Sequence, residues 1–198
     1  YDPSDDVRVL LDAGLGDEST VVDMGAGTGV FAMAAATHVG QVIAVDVSPA
    51  MLAVLRERAA TAANVDVVAA GWVSYAHDGP PADAVFTRNA LHQIPDFWKG
   101  VALTRMAAML RPGGILRLHD LIYDFEPTDA PGRIDAWFAG AVDDPARGWT
   151  AEELAEHVRI EHSTYRWLFE PLLEHAGFEI LDVEYRRGVY GAYTCRRR

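Results

Sequence analysis

The segment Val21-Val22-Asp23-Met24-Gly25-Ala26-Gly27-Thr28-Gly29-Val30 constrains this chain more than any other, because an apolar strand runs directly into three alternating glycines. A strand that breaks into a glycine turn and then a helix brings backbone close to a ligand without side-chain collisions. The helix start near Val30 presents unpaired N–H groups that suit a phosphate or a carboxylate. The spacing narrows the ligand. A dinucleotide fingerprint requires Gly-x-Gly-x-x-Gly, whereas the third glycine here is Gly29 and the dinucleotide position holds Val30.

The rest of the chain alternates strand-like and helix-like segments, which predicts an α/β fold with a mostly parallel sheet covered on both faces. Asp2-Pro3-Ser4 opens a first helix that Gly14 stops, and Thr20 to Met24 reads as the first strand. Gln41 to Asp46 is the second strand. Ser48-Pro49 then caps a helix running to about Ala63. Val65 to Val68, Ala82 to Thr87 and Ile115 to Leu121 are further strands, with Pro112-Gly113-Gly114 as the turn before the last and an amphipathic helix over Phe97 to Leu110. Residues 124–149 combine Pro, Gly and Asp with Trp137, Phe138 and Trp149, which suits an inserted cap. Thr150 to Glu153 is a capping box opening another helix, and Ser163 is placed to cap the next. Phe178 to Arg186 and Val189 to Cys195 form a terminal hairpin around Arg187-Gly188, adding antiparallel strands to the sheet. The expected organisation is one domain over 1–198, with a cofactor-binding core at 5–122, a cap at about 123–176 and the hairpin at 178–195.

Size and charge bound the function. With 198 residues and 50% apolar content, the chain buries one sizeable core. A net charge of -12 disfavours a polynucleotide, since such binding depends on cationic side chains neutralising phosphates. The run Arg196-Arg197-Arg198 fits a solubilising tail better than a binding patch. A single cysteine, Cys195, cannot form an intramolecular disulfide, and no apolar run approaches the roughly 18 to 20 residues of a membrane span. A cytoplasmic protein is the expectation, and a homodimer is compatible with it. The first residue, Tyr1, implies that an N-terminal segment is processed or absent, the remnant of a lid.

Four motifs resemble those of the class I S-adenosylmethionine-dependent methyltransferases. They are Asp23-x-Gly25-x-Gly27-x-Gly29, Val45 to Leu52, Ala82 to Ile94, and Leu110 to Leu116, spanning about residues 5 to 122. The small-molecule branch, including the ubiquinone and menaquinone biosynthesis type, is the most similar in style. The resemblance implies a Rossmann-like seven-stranded sheet with a reversed terminal hairpin, S-adenosyl-L-methionine as cofactor and S-adenosyl-L-homocysteine as product. It sets the cofactor against Asp23, Gly25, Ala26, Gly27, Thr28 and Gly29 in the turn, with Asp46 holding the ribose hydroxyls and Val47 and Met51 beside the adenosine. Gly71, Trp72, Val73 and Asn89 complete that set. One departure stands out. Where the family usually has Gly-Asp after the third strand, this chain has Gly71-Trp72, so the carboxylate for the adenine amino group is missing. Trp72 either stacks on the adenine, with the Val73 N–H free for a ring nitrogen, or is a packing aromatic.

The predicted activity is methyl transfer to oxygen, nitrogen or carbon of a small organic acceptor. Holding nucleophile, methyl carbon and sulfur in line supplies most of such a rate, and a base is required only where the acceptor must lose a proton. His92 is the first candidate base and His119, beside Asp120, the second; each is otherwise a hydrogen-bonded structural residue. His119, Asp120 and Asp124 lack any recognised metal spacing, so no metal is expected. Tyr123, Trp137, Phe138, His162, Tyr165, Trp167 and Tyr190 are either an acceptor pocket or cap core, with His162 and Tyr165 expected on one helical face. Two alternatives stay open: a non-catalytic binding module on the same fold, and an NAD-dependent oxidoreductase, against which Val30 argues.

Overall fold

A computed structural model describes residues 1–144 and 146–198; Pro145, inside the predicted cap, lies outside the described residues. Short apolar runs with alternating sides build its centre. Strands β1 (Thr20–Met24), β2 (Gln41–Asp46), β3 (Val65–Ala69), β4 (Ala82–Arg88) and β5 (Leu110–Tyr123) are parallel, while β7 (Phe178–Arg186) and β8 (Tyr190–Arg197) are antiparallel to their neighbours. The order is β3-β2-β1-β4-β5-β8-β7, and a two-residue strand, β6 (Thr164–Tyr165), pairs with β5 off this path. The predicted seven-stranded path and reversed hairpin are present, with β6 as an addition.

Successive strand residues feed opposite faces, and each face has its own helices. Val21, Ala44 and Phe86 pack with α1 (Ser4–Asp12), α2 (Val30–Ala35) and α3 (Pro49–Ala59) through Leu10, Phe31 and Leu55. Val22, Val45 and Val85 pack instead with α4 (Asp96–Met109) and α7 (Arg166–His175) through Leu103, Met106, Phe169 and Leu173. Each such fully buried side chain stabilises the fold by about 1.5–3 kcal/mol. A smaller cluster of Leu121, Phe125, Trp137, Leu154 and Val189 seats the cap helices α5 (Ala130–Phe138) and α6 (Ala151–Ile160).

Several boundaries and caps differ from the sequence reading. Helix α3 ends at Ala59, not near Ala63. Strand β5 begins at Leu110 because Pro112-Gly113-Gly114 forms an irregularity within it: Ala82 pairs with Leu110 and Ala84 with Ile115. The capping box at Thr150 and Glu153 forms as expected, but Ser163 does not cap α7, whose N-cap position is Tyr165 with no side-chain bond. Ser163 instead bonds His157. His162 and Tyr165 share no helical face, because the chain there is extended and Tyr165 belongs to β6. Arg196 and Arg197 are no loose tail: they lie in β8, bonded to Glu179 and to the Leu110 carbonyl.

Candidate cofactor and active site

The strand order reverses direction at β1, whose neighbours are β2 on one side and β4 on the other. In a doubly wound sheet this switch point opens a crevice beyond the carboxyl ends of the strands. A groove of about 880 Å³ occupies that place. Its walls are the segments that follow β1 (Gly25, Gly27), β2 (Val47, Ser48, Met51), β3 (Gly71, Trp72, Val73) and β4 (Asn89, Ala90), with Trp98 of α4 at one side.

Asp46, the last residue of β2, organises the glycine turn. One carboxylate oxygen accepts the Gly27 N–H at 2.8 Å and the other accepts the Ser48 N–H at 2.8 Å. Each oxygen keeps a second lone pair for a hydroxyl donor, so the carboxylate still has acceptors for a vicinal diol. Gly27 adopts φ +55, and a Cβ there would meet nothing within 4 Å. The space above the turn is open to the groove. Gly29 has φ +80, but a Cβ there would come 2.3 Å from Leu55 Cδ1, so this position serves packing. Trp72 is half-buried, its flank against the core behind the groove and its carbonyl held by Arg105 Nε at 3.0 Å. The indole is therefore a fixed wall. Asn89 adopts a left-handed φ of 50, and its N–H donates to the His119 carbonyl at 2.9 Å. This residue type tolerates that conformation better than most.

Residues 21–114 match the family model of a methyltransferase domain. The match takes in the glycine turn, Asp46 and β4, so over just under half of its length the chain is similar to a methyltransferase domain. It is 31% identical over 112 residues to the demethylmenaquinone methyltransferase of Staphylococcus aureus, covering 55% of this chain and 46% of that protein. The chain thus spans about half the length of the curated relatives it matches. Among solved structures, a geranyl diphosphate methyltransferase in complex with GPP and sinefungin superposes with a TM-score of 0.74 at 15% identity, covering 98% of this chain and 79% of that one. The magnesium protoporphyrin IX methyltransferase of Synechocystis with bound SAH gives 0.71 at 16% identity, covering 99% and 82%. The [4+2]-cyclase SpnF gives 0.68 at 18% identity, covering 96% and 80%. At these identities the likeness is one of fold.

In this chain, nine of the thirteen residues singled out for the cofactor line the groove: Gly25, Gly27, Asp46, Val47, Met51, Gly71, Trp72, Val73 and Asn89. Asp23, Ala26, Thr28 and Gly29 do not. Thr28 turns to the outer side, where its carbonyl and hydroxyl accept from Arg58. Asp23 is buried beneath the turn with one oxygen unpartnered. Burial, reinforced by the Asp46 charge, pushes its carboxyl up to about 8.

The two histidines singled out as bases also lie off the groove lining. His92 sits in a short turn, Leu91–Gln93, with its ring buried and Nδ1 bonded to Asp120 Oδ1 at 2.6 Å. Asp120 Oδ2 accepts the Leu91 N–H at 2.7 Å, so this carboxylate shapes the whole turn. His119 reaches α1, where Asp6 also receives Arg117 Nε at 2.9 Å and the Tyr1 hydroxyl. Burial alone would raise the Asp6 carboxyl, but hydrogen bonds from His119, Tyr1 and Arg117 hold it at about 2. Burial depresses the His119 imidazole, against the opposing pull of Asp6.

The structure adds groove residues that sequence reasoning did not select: Arg88, Ala90, Gln93, Ile94 and Trp98. Arg88 was the most legible of these, as the last residue of β4 beside Asn89. Its guanidinium lies 4.0 Å from the centroid of the Tyr1 ring. The cap aromatics divide. Trp137 is core, donating Nε1–H to the Tyr190 hydroxyl at 3.1 Å, while Tyr123 and Trp167 line a separate cavity of about 440 Å³ with Asp124, Glu126, Asp129 and Arg166. That cavity shares no lining residue with the groove, and three carboxylates border it.

Proposed function

We propose that this chain binds S-adenosylmethionine in the groove and transfers its methyl group to a small organic acceptor. The observation that carries this reading is the coupling of Asp46 to Gly27, which fixes a free diol acceptor beside an open glycine turn at the switch point. The cofactor supplies an activated methyl group on a sulfonium sulfur. Asp46 receives the ribose hydroxyls, the space above Gly27 takes the amino acid end, and Trp72 gives the adenine a flat apolar wall with Val47 and Met51 opposite. Ala90, Gln93, Ile94 and Trp98 then face the acceptor. With the His92 and His119 rings occupied elsewhere, alignment and exclusion of water drive the transfer. That favours acceptors nucleophilic without enzymatic deprotonation. Residues 1–198 form one domain, acting in the cytoplasm, alone or as a homodimer; no described helix is long and apolar enough to cross a membrane.

Calorimetry tests the first half: S-adenosylhomocysteine should bind with one-to-one stoichiometry and NADH should not. Absence of binding to folded protein rejects the reading. A second reading, a module that binds the cofactor without transferring its methyl, is favoured by the sequestered histidines. Binding without turnover across hydroxyl, amine, thiol and carbon acceptors would select it.

A further inference from the structure

Three ligand-type atoms converge between the turn after β4 and the end of α6, outside the groove. His92 Nε2, a His157 ring nitrogen and a Glu161 oxygen all lie within 4.8 Å of one another. His157 and Glu161 stand one helical turn apart, so both project from the same side of α6 toward the buried His92. Glu161 Oε2 is itself buried and stands between two ring nitrogens, in close contact with His157 Nδ1 and 3.3 Å from His92 Nε2. A carboxylate oxygen buried between two ring nitrogens needs a proton or a cation there.

The geometry points to a divalent transition-metal site of the zinc type, formed by His92, His157 and Glu161. Four observations support it. Two histidines and a glutamate are a zinc ligand set that leaves a fourth position open. The His92 Nε2 to Glu161 Oε2 separation is 3.3 Å, the spacing of ligands about 2.0–2.1 Å from a tetrahedral ion. His157 Nδ1 lies closer to Glu161 Oε2 than two ligands of one ion stand, so metal entry parts that pair. Each ring also has its far nitrogen held. His92 Nδ1 bonds Asp120 Oδ1 at 2.6 Å, and His157 Nε2 bonds Ser163 Oγ at 2.8 Å. Such outer partners fix the tautomer and aim the free lone pair at the metal. Finally, Asp120 and Glu161 place two carboxylates at the site, the charge complement of a divalent ion.

The site joins two parts of the chain that also meet through the backbone, where the His162 N–H donates to the His92 carbonyl at 2.7 Å. Gln93 and Ile94, which follow the ligand His92, line the groove. A bound ion would therefore fix the cap against the acceptor side of the groove. His92 would then be a ligand and not a base, whatever the groove binds, so this inference does not rest on the methyl-transfer reading.

The test uses the full chain, stripped with a chelator and equilibrated with zinc or cobalt chloride. One equivalent of zinc is expected, and cobalt should give the intense visible absorption of a four-coordinate site. His157→Gln and Glu161→Gln should each weaken zinc binding at least tenfold, and Asp120→Asn, which leaves the three ligands in place, by about 10- to 100-fold. The exposed His175→Gln should bind as the unaltered chain does. Because the ligand variants could fold poorly, X-ray absorption on the unaltered zinc protein gives an independent readout: imidazole nitrogen and oxygen neighbours, without sulfur. Failure to take up an equivalent of zinc, a sulfur ligand, or unchanged affinity in folded His157→Gln and Glu161→Gln would overturn the assignment.

Discussion

Two glycines two residues apart in the same turn should fail in different ways when replaced by alanine. Gly29→Ala puts a methyl group 2.3 Å from Leu55 Cδ1, in a residue with φ +80, and Leu55 is fully buried. The left-handed conformation costs about 1–2 kcal/mol for an L side chain, and forcing an extra carbon into a packed core about 1–3 kcal/mol. The expected loss of stability is therefore about 2–5 kcal/mol. Gly27→Ala has φ +55 but meets nothing within 4 Å, so only the backbone term applies, about 1–2 kcal/mol. Its methyl group enters the groove, where it occupies ligand space and disturbs the N–H bonded to Asp46. S-adenosylhomocysteine affinity should fall at least tenfold, about 1.4 kcal/mol. Urea denaturation measures the first quantity and calorimetry on the folded variants the second. The reasoning is refuted if Gly27→Ala binds as tightly as the unaltered chain, or if Gly29→Ala proves no less stable than Gly27→Ala.

Other substitutions probe separate parts of the site. Asp46→Ala should weaken S-adenosylhomocysteine binding by about 1.5–3 kcal/mol, the scale of hydrogen bonds to a charged group, and unchanged affinity in calorimetry would remove Asp46 from the ribose site. Trp72→Ala should cost about 1–3 kcal/mol of affinity if the indole stacks on the adenine, whereas Trp72→Phe should retain most of it; equal losses would point to wall packing alone. Asp6 sets a pH dependence. Its carboxyl is held at about 2, below its unfolded value, so the stability it contributes is present above about pH 4 and lost as pH falls toward 2. With an ordinary value of 3.8, the amount is about 2 kcal/mol. Asp6→Asn should be less stable at neutral pH, with the gap closing by that amount in acid; a pH-independent gap in denaturation free energy would contradict this.

The parts of the fold legible from sequence were those set by local pattern. Thr20 to Met24 and Gln41 to Asp46 are short apolar runs bounded by turn residues, and Ser48-Pro49 and Thr150 to Glu153 carry their own capping chemistry. The glycine spacing and a strand-terminal acid likewise located one wall of the groove. What was not legible depends on contacts distant in sequence. Ser163 looked like a helix cap because the bond to His157 that engages it is formed by another element. Pro112-Gly113-Gly114 reads as a turn until β4 is laid beside it and pairs across the irregularity. The direction of the His92 ring is set by Asp120, and the grouping of His92 with His157 and Glu161 requires α6 to fold back across the turn. Gln93, Ile94 and Trp98 become groove residues for the same reason.

The position of β8 bears on how the chain reaches its native state. It lies between β5 and β7, although it follows both in sequence. Until residues 190–197 pair, one side of β5 is an open edge whose residues Leu116, Leu118 and Ile122 are fully or almost fully buried in the finished sheet. A long apolar edge of this kind recruits other strands. Insertion of β8 is thus the event that ends the exposure to aggregation, and conditions that slow it should lower the yield of refolded protein more than they lower the stability of what has folded.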